Sequence, residues 1–214
     1  MAKTPTRNQR QGGAARPAAA AGPARAHEVR IIGGDWKRTR LPVADRPGLR
    51  PTPDRVRETL FNWLASLAGA GGAGLPGWHV LDAFAGTGAL GFEAASRGAA
   101  SVVLCEQDPA LVALMRATQE RLQASMVRIE RGDGATALQR AAPGSLHVIF
   151  LDPPFERPEL YDVALRAAVP ALRQDGLVYL EAAEAWDEDR LAAHGLHLLR
   201  HLRAGAVHAH LLRR

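Results

Sequence analysis

The chain of 214 residues has a single cysteine, Cys105, few aromatic residues (5%) and no long apolar run. One cysteine excludes an intramolecular disulfide framework and a metal site built only from thiolates. A membrane-spanning helix needs about 18 consecutive apolar residues, and no segment approaches that length. The N-terminus also lacks the apolar core of an export signal. We therefore expect a soluble, cytoplasmic protein with no membrane partner.

Acidic residues are absent from positions 1–27, where five basic side chains account for the whole net charge of +5. This segment has no aromatic or β-branched aliphatic residue, so its composition predicts a disordered basic tail. Residues 28–58 are also basic, with eight Arg and Lys against five Asp and Glu. A basic N-terminal end on a mildly acidic body is compatible with binding to a polyanion. A solubilising extension remains an equal alternative for the tail alone.

The N-terminal region contains one predicted strand and one predicted helix. The strand is expected at Val29–Ile32, before a loop rich in Arg and Pro. The helix is expected to start with Thr52 as N-cap, Pro53 at the first helical position and an acid in the first turn. Apolar residues at helical spacing continue to Leu67 and predict one buried face. The glycine-rich run at 69–77 predicts a flexible link into the main body.

From residue 78 onward, segments typical of strands alternate with segments typical of helices. Such alternation with short connections predicts an α/β fold, a doubly wound and mostly parallel sheet with helices on both faces. The last two apolar segments flank Gly205 and favour an antiparallel hairpin that closes the sheet. The strands are expected at 78–84, 101–106, 127–131, 146–151, 177–181, 196–202 and 206–212. The helices are expected at 89–97, 109–124, 134–141 and 158–172.

Acidic side chains follow four consecutive strands of this predicted sheet. They are Asp82, Glu106, Asp133 and Asp152. Ligands of doubly wound sheets lie beyond the carboxyl ends of the strands, so these side chains are expected along one edge. Any one of them alone is more often a helix cap, but four in strand order favour a binding site.

A glycine-rich turn that includes Gly86 and Gly88 follows Asp82. It matches the fingerprint in which the backbone approaches a dinucleotide at a helix N-terminus, with Glu106 on the ribose. In a nicotinamide site, however, Asp82 would place a negative charge near a pyrophosphate. S-adenosylmethionine has a cationic amino acid group, a ribose diol and an adenine amine, and no phosphate. Asp82, Glu106 and Asp133 match these groups in turn, so we favour S-adenosylmethionine as the cofactor.

The sequence Asp152-Pro153-Pro154-Phe155 follows the buried strand at 146–151 and indicates an amine-methylating site. Two prolines stiffen the turn, so the Asp152 carboxylate and the Pro153 carbonyl can accept hydrogen bonds from one amino group. Phe155 supplies an aromatic face on which a base can stack. Two acceptors favour a pyramidal nitrogen and stabilise its positive charge as a methyl group arrives. Asp152 can then take the proton or relay it to water.

Four blocks of sequence resemble the bacterial 16S ribosomal RNA guanine-N2 methyltransferases. They are Arg30 to Gly34, Leu49 to Leu64, Asp82 to Gly91 and Asp152 to Phe155, within a match over residues 29–214. The resemblance implies a class I (Rossmann-like) methyltransferase fold with a seven-stranded sheet and a small N-terminal extension. It implies S-adenosylmethionine as cofactor and the N2 amine of guanine 966 as target. The expected partner is 16S ribosomal RNA in the 30S particle or its assembly intermediate, and we expect a monomer.

The resemblance also implies roles for individual residues. The catalytic residues are Asp152, Pro153, Pro154 and Phe155. The cofactor-binding residues are Thr52, Asp82, Phe84, Gly86, Gly88, Glu106 and Asp133. The basic side chains expected to face RNA are Arg38, Arg40, Arg50, Arg55 and Arg57. The chain then divides into the tail at 1–27, a mouth region at 28–77 and a catalytic domain at 78–214.

Four other functions explain part of the sequence. A nicotinamide-dependent oxidoreductase explains the glycine turn but not the Pro-Pro-Phe sequence. A DNA adenine-N6 methyltransferase shares the Asp152–Phe155 chemistry, and only the block at 49–64 argues against it. A non-catalytic RNA-binding scaffold needs only the basic end. The ligands of a metal site would be His197, His201, His208 and His210, but no acid or cysteine completes the set, so we expect no metal.

Overall fold

The computed structural model describes most of the chain. The described residues are 1, 28–44, 46, 52–69 and 74–214. Three expectations therefore lie wholly or partly outside the described residues: the disordered tail, the RNA contact of Arg50 and the flexible link at 69–77. Among the helices that are described, none is both long and apolar enough to cross a membrane.

A two-stranded ribbon and one helix precede a seven-stranded sheet that alternates with the other helices. The strands are β1 (Glu28–Arg30), β2 (Arg40–Pro42), β3 (His79–Asp82), β4 (Ser101–Glu106), β5 (Val127–Arg131), β6 (Leu146–Leu151), β7 (Leu172–Ala182), β8 (His197–Ala204) and β9 (Val207–Arg213). The helices are α1 (Asp54–Leu67), α2 (Ala89–Ser96), α3 (Pro109–Leu122), α4 (Gly134–Arg140), α5 (Glu159–Ala171) and α6 (Glu188–Ala192).

The seven-stranded sheet has the order β5-β4-β3-β6-β7-β9-β8. Strands β3 to β7 pair in parallel, whereas β9 pairs antiparallel with both β7 and β8. The chain moves outward from β3 to β5 and then returns to place β6 on the other side of β3. That reversal marks the point where ligands bind in doubly wound sheets. The predicted mostly parallel sheet with a closing C-terminal hairpin is thus confirmed.

Most helix and strand boundaries lie within one or two residues of those predicted from the sequence, and the differences have local causes. Strand β7 starts at Leu172 rather than at 177, because Leu172 already pairs with Leu146 of β6. The register then shifts before Val148 pairs with Leu177. The polar residues of that irregular stretch resemble a turn in sequence. Strand β2 and helix α6 were not expected, since three and five residues are too few to show a periodic pattern.

Helix α1 starts later than its sequence predicts. Pro53 occupies the N-cap position and the helix begins at Asp54, so Thr52 is not the N-cap. The Thr52 hydroxyl instead donates a 2.8 Å hydrogen bond to the Glu181 carboxylate on β7. The expected acid in the first turn, Asp54, is present.

The buried face of α1 packs on one side of the sheet. Val56, Leu60 and Leu64 are buried as expected, whereas Leu67 is 39% exposed. Phe61, which the spacing did not single out, meets Phe150 of β6 edge to face, with 6.0 Å between ring centroids. This contact packs the middle of α1 against β6, and the Thr52–Glu181 hydrogen bond holds the residues before the helix at the carboxyl end of β7.

The segment after β1 is fastened to α2 by buried polar contacts. The fully buried Glu93 carboxylate accepts hydrogen bonds from the backbone N–H groups of Ile32 (2.6 Å) and Gly33 (2.8 Å). Gly34 has a φ of +75°, and a Cβ there would lie 1.8 Å from the backbone oxygen of Ser96. The Arg-Ile-Ile-Gly-Gly block therefore requires glycine because α2 leaves no room for a side chain.

Candidate active site

The carboxyl ends of the parallel strands bring the four predicted acids to one edge of the sheet. Asp82 ends β3, Glu106 ends β4, Asp133 follows β5 and Asp152 follows β6. Given the strand order, they lie along the edge in the sequence Asp133, Glu106, Asp82 and Asp152. The edge spans the point between β3 and β6 where the strand order reverses.

Asp82 is the most buried of these four acids, with 2% of its surface exposed. Burial raises its pKa to about 7, against hydrogen bonds from the backbone N–H groups of Gly91 and Phe84 that lower it. The negative charge of Glu106 raises the pKa further. A buried carboxyl held in this way favours a cationic ligand, because a nearby positive charge stabilises its ionised form.

The glycine turn after β3 has the backbone geometry of a tight ligand-binding loop. Gly86 and Gly88 have φ values of +53° and +76°, which other residues rarely adopt. A Cβ on Gly88 would lie 2.8 Å from the Phe92 ring. The backbone N–H of Gly86 donates to Glu106 Oε2 at 2.9 Å, which ties the turn to the end of β4.

Glu106 and Asp133 organise the loops in which they lie. The second oxygen of Glu106 accepts from the backbone N–H of Asp108 at 2.9 Å. Asp133 caps α4 by accepting from the backbone N–H of Thr136 (2.8 Å) and from its hydroxyl (2.9 Å). Both acids remain half-buried and keep a surface for a ligand. Their expected contacts with ribose and adenine stay predictions.

The Asp152–Phe155 turn leaves β6 beside the glycine turn. Pro153 is buried and Pro154 is exposed, while Asp152 and Phe155 are half-buried. Phe155 and Phe84 pack against the same apolar cluster on the α5 side of the sheet. Burial raises the pKa of Asp152 well above its usual value, and the negative charges of Glu181 and Asp82 add to the effect.

Glu181 of β7 is an acid of this edge that the sequence analysis missed. It is 2% exposed, and its Oε1 accepts hydrogen bonds from the Thr52 hydroxyl (2.8 Å) and the Tyr179 hydroxyl (2.7 Å). Burial raises its pKa, while these two hydrogen bonds lower it. The signal was available in the sequence, because Glu181 ends an apolar strand in the same way as Asp82.

Three neighbouring strands thus bring to one place acids whose pKa values are raised and which have no cationic partner among the described residues. The acids are Asp82 (β3), Asp152 (β6) and Glu181 (β7). None of the ion pairs between described residues includes any of them. Such a concentration of negative charge suits a ligand that brings its own positive charge.

The described arginines predicted to face RNA fall into two groups. Arg38, Arg40 and Arg55 are exposed, and Arg40 forms a 2.6 Å ion pair with Glu28. The prediction that Arg57 faces RNA is wrong, because its side chain is fully buried.

The buried Arg57 holds the start of α1 in place. Its guanidinium donates to Asp54 (2.6 Å) and to the backbone oxygens of Thr52 (3.1 Å) and Arg30 (3.0 Å). It therefore connects the helix to the ribbon rather than presenting its charge to a ligand.

The C-terminal histidines pack with one another on β8 and β9. Nε2 of His201 lies 3.1 Å from Nδ1 of His208, and the buried His210 accepts from the backbone N–H of Trp186. Within the described part of the chain, no group of three or more His, Cys, Asp or Glu residues could hold a metal ion.

Comparisons with known proteins place this geometry in context. A family model described as "Conserved hypothetical protein 95" matches residues 29–213. Ribosomal RNA small subunit methyltransferase D from Escherichia coli strain K12 is 42% identical over 157 residues, which is 72% of this chain and 75% of that protein. The protein of the same name from Haemophilus influenzae is 41% identical over 134 residues, or 60% and 64% of the two chains. The solved structure of yhhF from Escherichia coli superposes with a TM-score of 0.72 at 37% identity, over 88% of this chain and 98% of that one.

Proposed function

The chain belongs to the methyltransferase family of ribosomal RNA small subunit methyltransferase D (conserved hypothetical protein 95), and on that premise we propose its substrate and site. The reaction is transfer of a methyl group from S-adenosylmethionine to the N2 amine of guanine 966 in 16S ribosomal RNA. The RNA is presented in the 30S particle or its assembly intermediate. The observation that carries the proposal is the meeting of Asp82, the glycine turn and Asp152 where the strand order reverses.

The residues of the edge fit S-adenosylmethionine better than a nicotinamide cofactor. S-adenosylmethionine supplies an electrophilic methyl group on a sulfonium. The buried Asp82 suits the cationic methionine end, whereas it would repel a pyrophosphate. Glu106 and Asp133 lie in order along the edge for the ribose and adenine. The residues that would line the methionine end are Thr52, Asp82, Phe84, Gly86 and Gly88.

The turn after β6 would bind the guanine and accept the proton that its N2 amine loses. Asp152 and the Pro153 carbonyl accept hydrogen bonds from the N2 amine, and Phe155 stacks on the base. The ionised carboxylate of Asp152 lies at this turn and is suited to take the proton that N2 loses on methylation. Pro154 keeps the turn rigid, which maintains the alignment of N2 for in-line attack.

The RNA would approach over the N-terminal region. Arg38 and Arg55 are exposed, and residues 28–58 carry an excess of basic side chains. Phosphate contacts of this kind position an RNA without reading its sequence. Arg40 contributes less, because Glu28 already pairs with it.

The test is transfer of labelled methyl groups to three substrates in parallel. They are 30S particles that lack the modification, naked 16S RNA, and duplex DNA. We expect label in the 30S particles and little in DNA. Label in duplex DNA but not in particles would instead favour a DNA adenine-N6 methyltransferase, which shares the chemistry of Asp152. No label in any substrate, despite confirmed binding of the cofactor, would leave the fold assignment in place and direct the search to other RNAs. RNA methylation in cells that is unchanged by Asp152→Ala would favour a non-catalytic RNA-binding protein.

A further inference from the structure

Glu181 lies directly beside the catalytic turn on the same face of the sheet as Asp152. Phe150 of β6 pairs with Tyr179 of β7, and Leu151 pairs with Leu180. Continued by one residue, this register places Asp152 opposite Glu181, and neighbouring strands are about 4.8 Å apart. Side chains alternate along a strand, so Asp152 and Glu181 project to the face of Phe150 and Tyr179, which α1 covers.

The hydrogen bonds of Glu181 use only one of its two oxygens. The Thr52 and Tyr179 hydroxyls both donate to Oε1. Neither of these two hydrogen bonds involves Oε2 of Glu181. Thr52 precedes α1, and Glu181 therefore connects the N-terminal region to the turn that holds Asp152.

Among the residues that the structure describes, the titratable groups around Glu181 are acids and phenols. Asp82 faces it from β3, Asp152 from the turn after β6, and Tyr179 from its own strand. Burial raises the pKa of Tyr161 of α5, the negative charges of Asp152 and Glu181 add to the effect, and Arg190 of α6 lowers the pKa. The partner strand β9 places the backbone of Ala209 opposite Glu181. Two neighbouring carboxyls, one of them fully buried, resist simultaneous ionisation unless a positive charge enters between them.

We propose that Glu181 is a positioning residue that couples ionisation of Asp152 to the entry of the cationic cofactor. In the free protein, Asp152 and Glu181 together hold a proton. When positive charge enters the site, that proton leaves to solvent and both carboxylates are ionised. Asp152 is then an acceptor for the guanine amine only in the loaded enzyme. This inference rests on the proposed S-adenosylmethionine site.

Calorimetry of cofactor binding measures the exchanged proton directly. Titrations of S-adenosylmethionine in two buffers with different ionisation enthalpies, at the same neutral pH, give the number of protons released. S-adenosylhomocysteine is the matched ligand, because it has lost the methyl group and the sulfonium charge. We expect more proton release with S-adenosylmethionine than with S-adenosylhomocysteine, and a larger gain of affinity with rising pH, up to about tenfold per pH unit for one proton.

Glu181→Gln removes the charge while its amide oxygen can still accept from Thr52 and Tyr179. We expect a smaller difference in proton release between the two ligands for the variant than for wild type, because the proton shared by Asp152 and Glu181 is gone, whereas the proton on Asp82 can still be released. The acidic limb of its methyl-transfer pH profile should move to lower pH, because Asp152 no longer faces a second carboxyl. Glu184→Gln is the control, since Glu184 is an exposed acid three residues further on, 74% exposed and paired with Arg190.

Tyr179→Phe provides a second variant that keeps the charge of Glu181 and the aromatic packing. It removes a hydrogen bond that lowers the pKa of Glu181, so proton release should persist and move to higher pH. Equal proton release by wild type and Glu181→Gln would overturn the inference while leaving the proposed function intact. Failure of the wild type to bind S-adenosylmethionine would refute the proposed function itself.

Discussion

Asp82 and Glu181 are each 2% exposed, and among the described residues their partners are hydrogen-bond donors rather than cations. An uncompensated buried charge is costly, so such acids tend to hold protons until a ligand arrives. Active sites are where proteins tolerate this cost. At the scale of single residues, the edge of the sheet is therefore built for a ligand with positive charge.

Asp82 should make the stability of the free protein depend on pH. The folded state holds a proton on Asp82 up to a pKa of about 7, whereas the ordinary pKa is 3.8. The contribution of this proton to the free energy of unfolding is fully present below pH 3.8 and is lost as the pH rises to about 7. Asp82→Asn should therefore be more stable than wild type at pH 8 and similar to it at pH 4. Thermal unfolding at both pH values measures this, and an equal difference at the two would contradict it.

Asp152→Asn should separate catalysis from binding. The amide keeps the size of the side chain but cannot take a proton, and loss of a general base slows reactions by about 100-fold or more. Single-turnover methyl transfer should fall by that factor, with S-adenosylhomocysteine affinity little changed. Asp175→Asn is the control, because Asp175 is an exposed acid near the other end of β7. A rate within a few fold of wild type would show that Asp152 is not the base.

At the scale of elements, the ribbon is an attached part of the catalytic unit. Glu93 of α2 bonds to the backbone after β1, and Arg57 of α1 bonds to the backbone of Arg30. The Arg57 and Glu93 side chains are fully buried, with 3.7 Å between Nη1 and Oε2. The mouth of the site is therefore fixed by α1, α2 and the ribbon together.

Gly34→Ala should detach the ribbon from α2. The new methyl group would collide with the backbone of Ser96 at a position whose φ of +75° already disfavours alanine. We expect a loss of stability of about 2–4 kcal/mol in urea unfolding. Gly205→Ala is the matched control, because its φ is +63° and no atom lies within 4 Å of the new Cβ. Equal losses for both variants would mean that backbone strain alone is responsible.

Elements with long periodic patterns were predictable, and short or irregular ones were not. The strands at 101–106, 127–131 and 146–151 have the expected bounds: 101–106 and 146–151 are mainly apolar runs in the middle of the sheet, whereas 127–131 alternates between apolar and charged residues at its edge. The predicted N-cap of α1 was wrong by one position. Thr52 hydrogen-bonds instead to Glu181, which is 129 residues away in sequence, and local patterns do not show such a contact. Arg57 was misassigned for the same reason, because its partners Arg30 and Glu93 are distant in the chain.

At the scale of the whole molecule, charge is divided between a basic N-terminal end and a mildly acidic remainder. The first 27 residues carry five basic side chains and no acid. The catalytic edge, by contrast, is lined by carboxyls. On the proposed function, this division would separate contact with phosphates from contact with a cationic cofactor. The division itself could be predicted from the sequence, because net charge does not depend on the fold.

RNA affinity should therefore fall steeply as salt rises. Each phosphate contact contributes about one unit or less to the slope of log affinity against log salt. Deleting residues 1–27 should flatten this slope if the basic tail contacts phosphates. Filter binding to 16S ribosomal RNA across a salt series measures both slopes. An unchanged slope would mean that the tail takes no part in RNA binding.

The central claim is methylation of one guanine amine by the turn that contains Asp152. Its most direct test is to express the protein in a bacterium that lacks its own small subunit methyltransferase D, and to map 16S ribosomal RNA by primer extension and nucleoside mass spectrometry. We predict N2-methylguanosine at guanine 966 with the wild type and none with Asp152→Asn at equal expression. An unmodified guanine 966 in the presence of folded wild-type protein, or a methyl group on another base, would contradict the account.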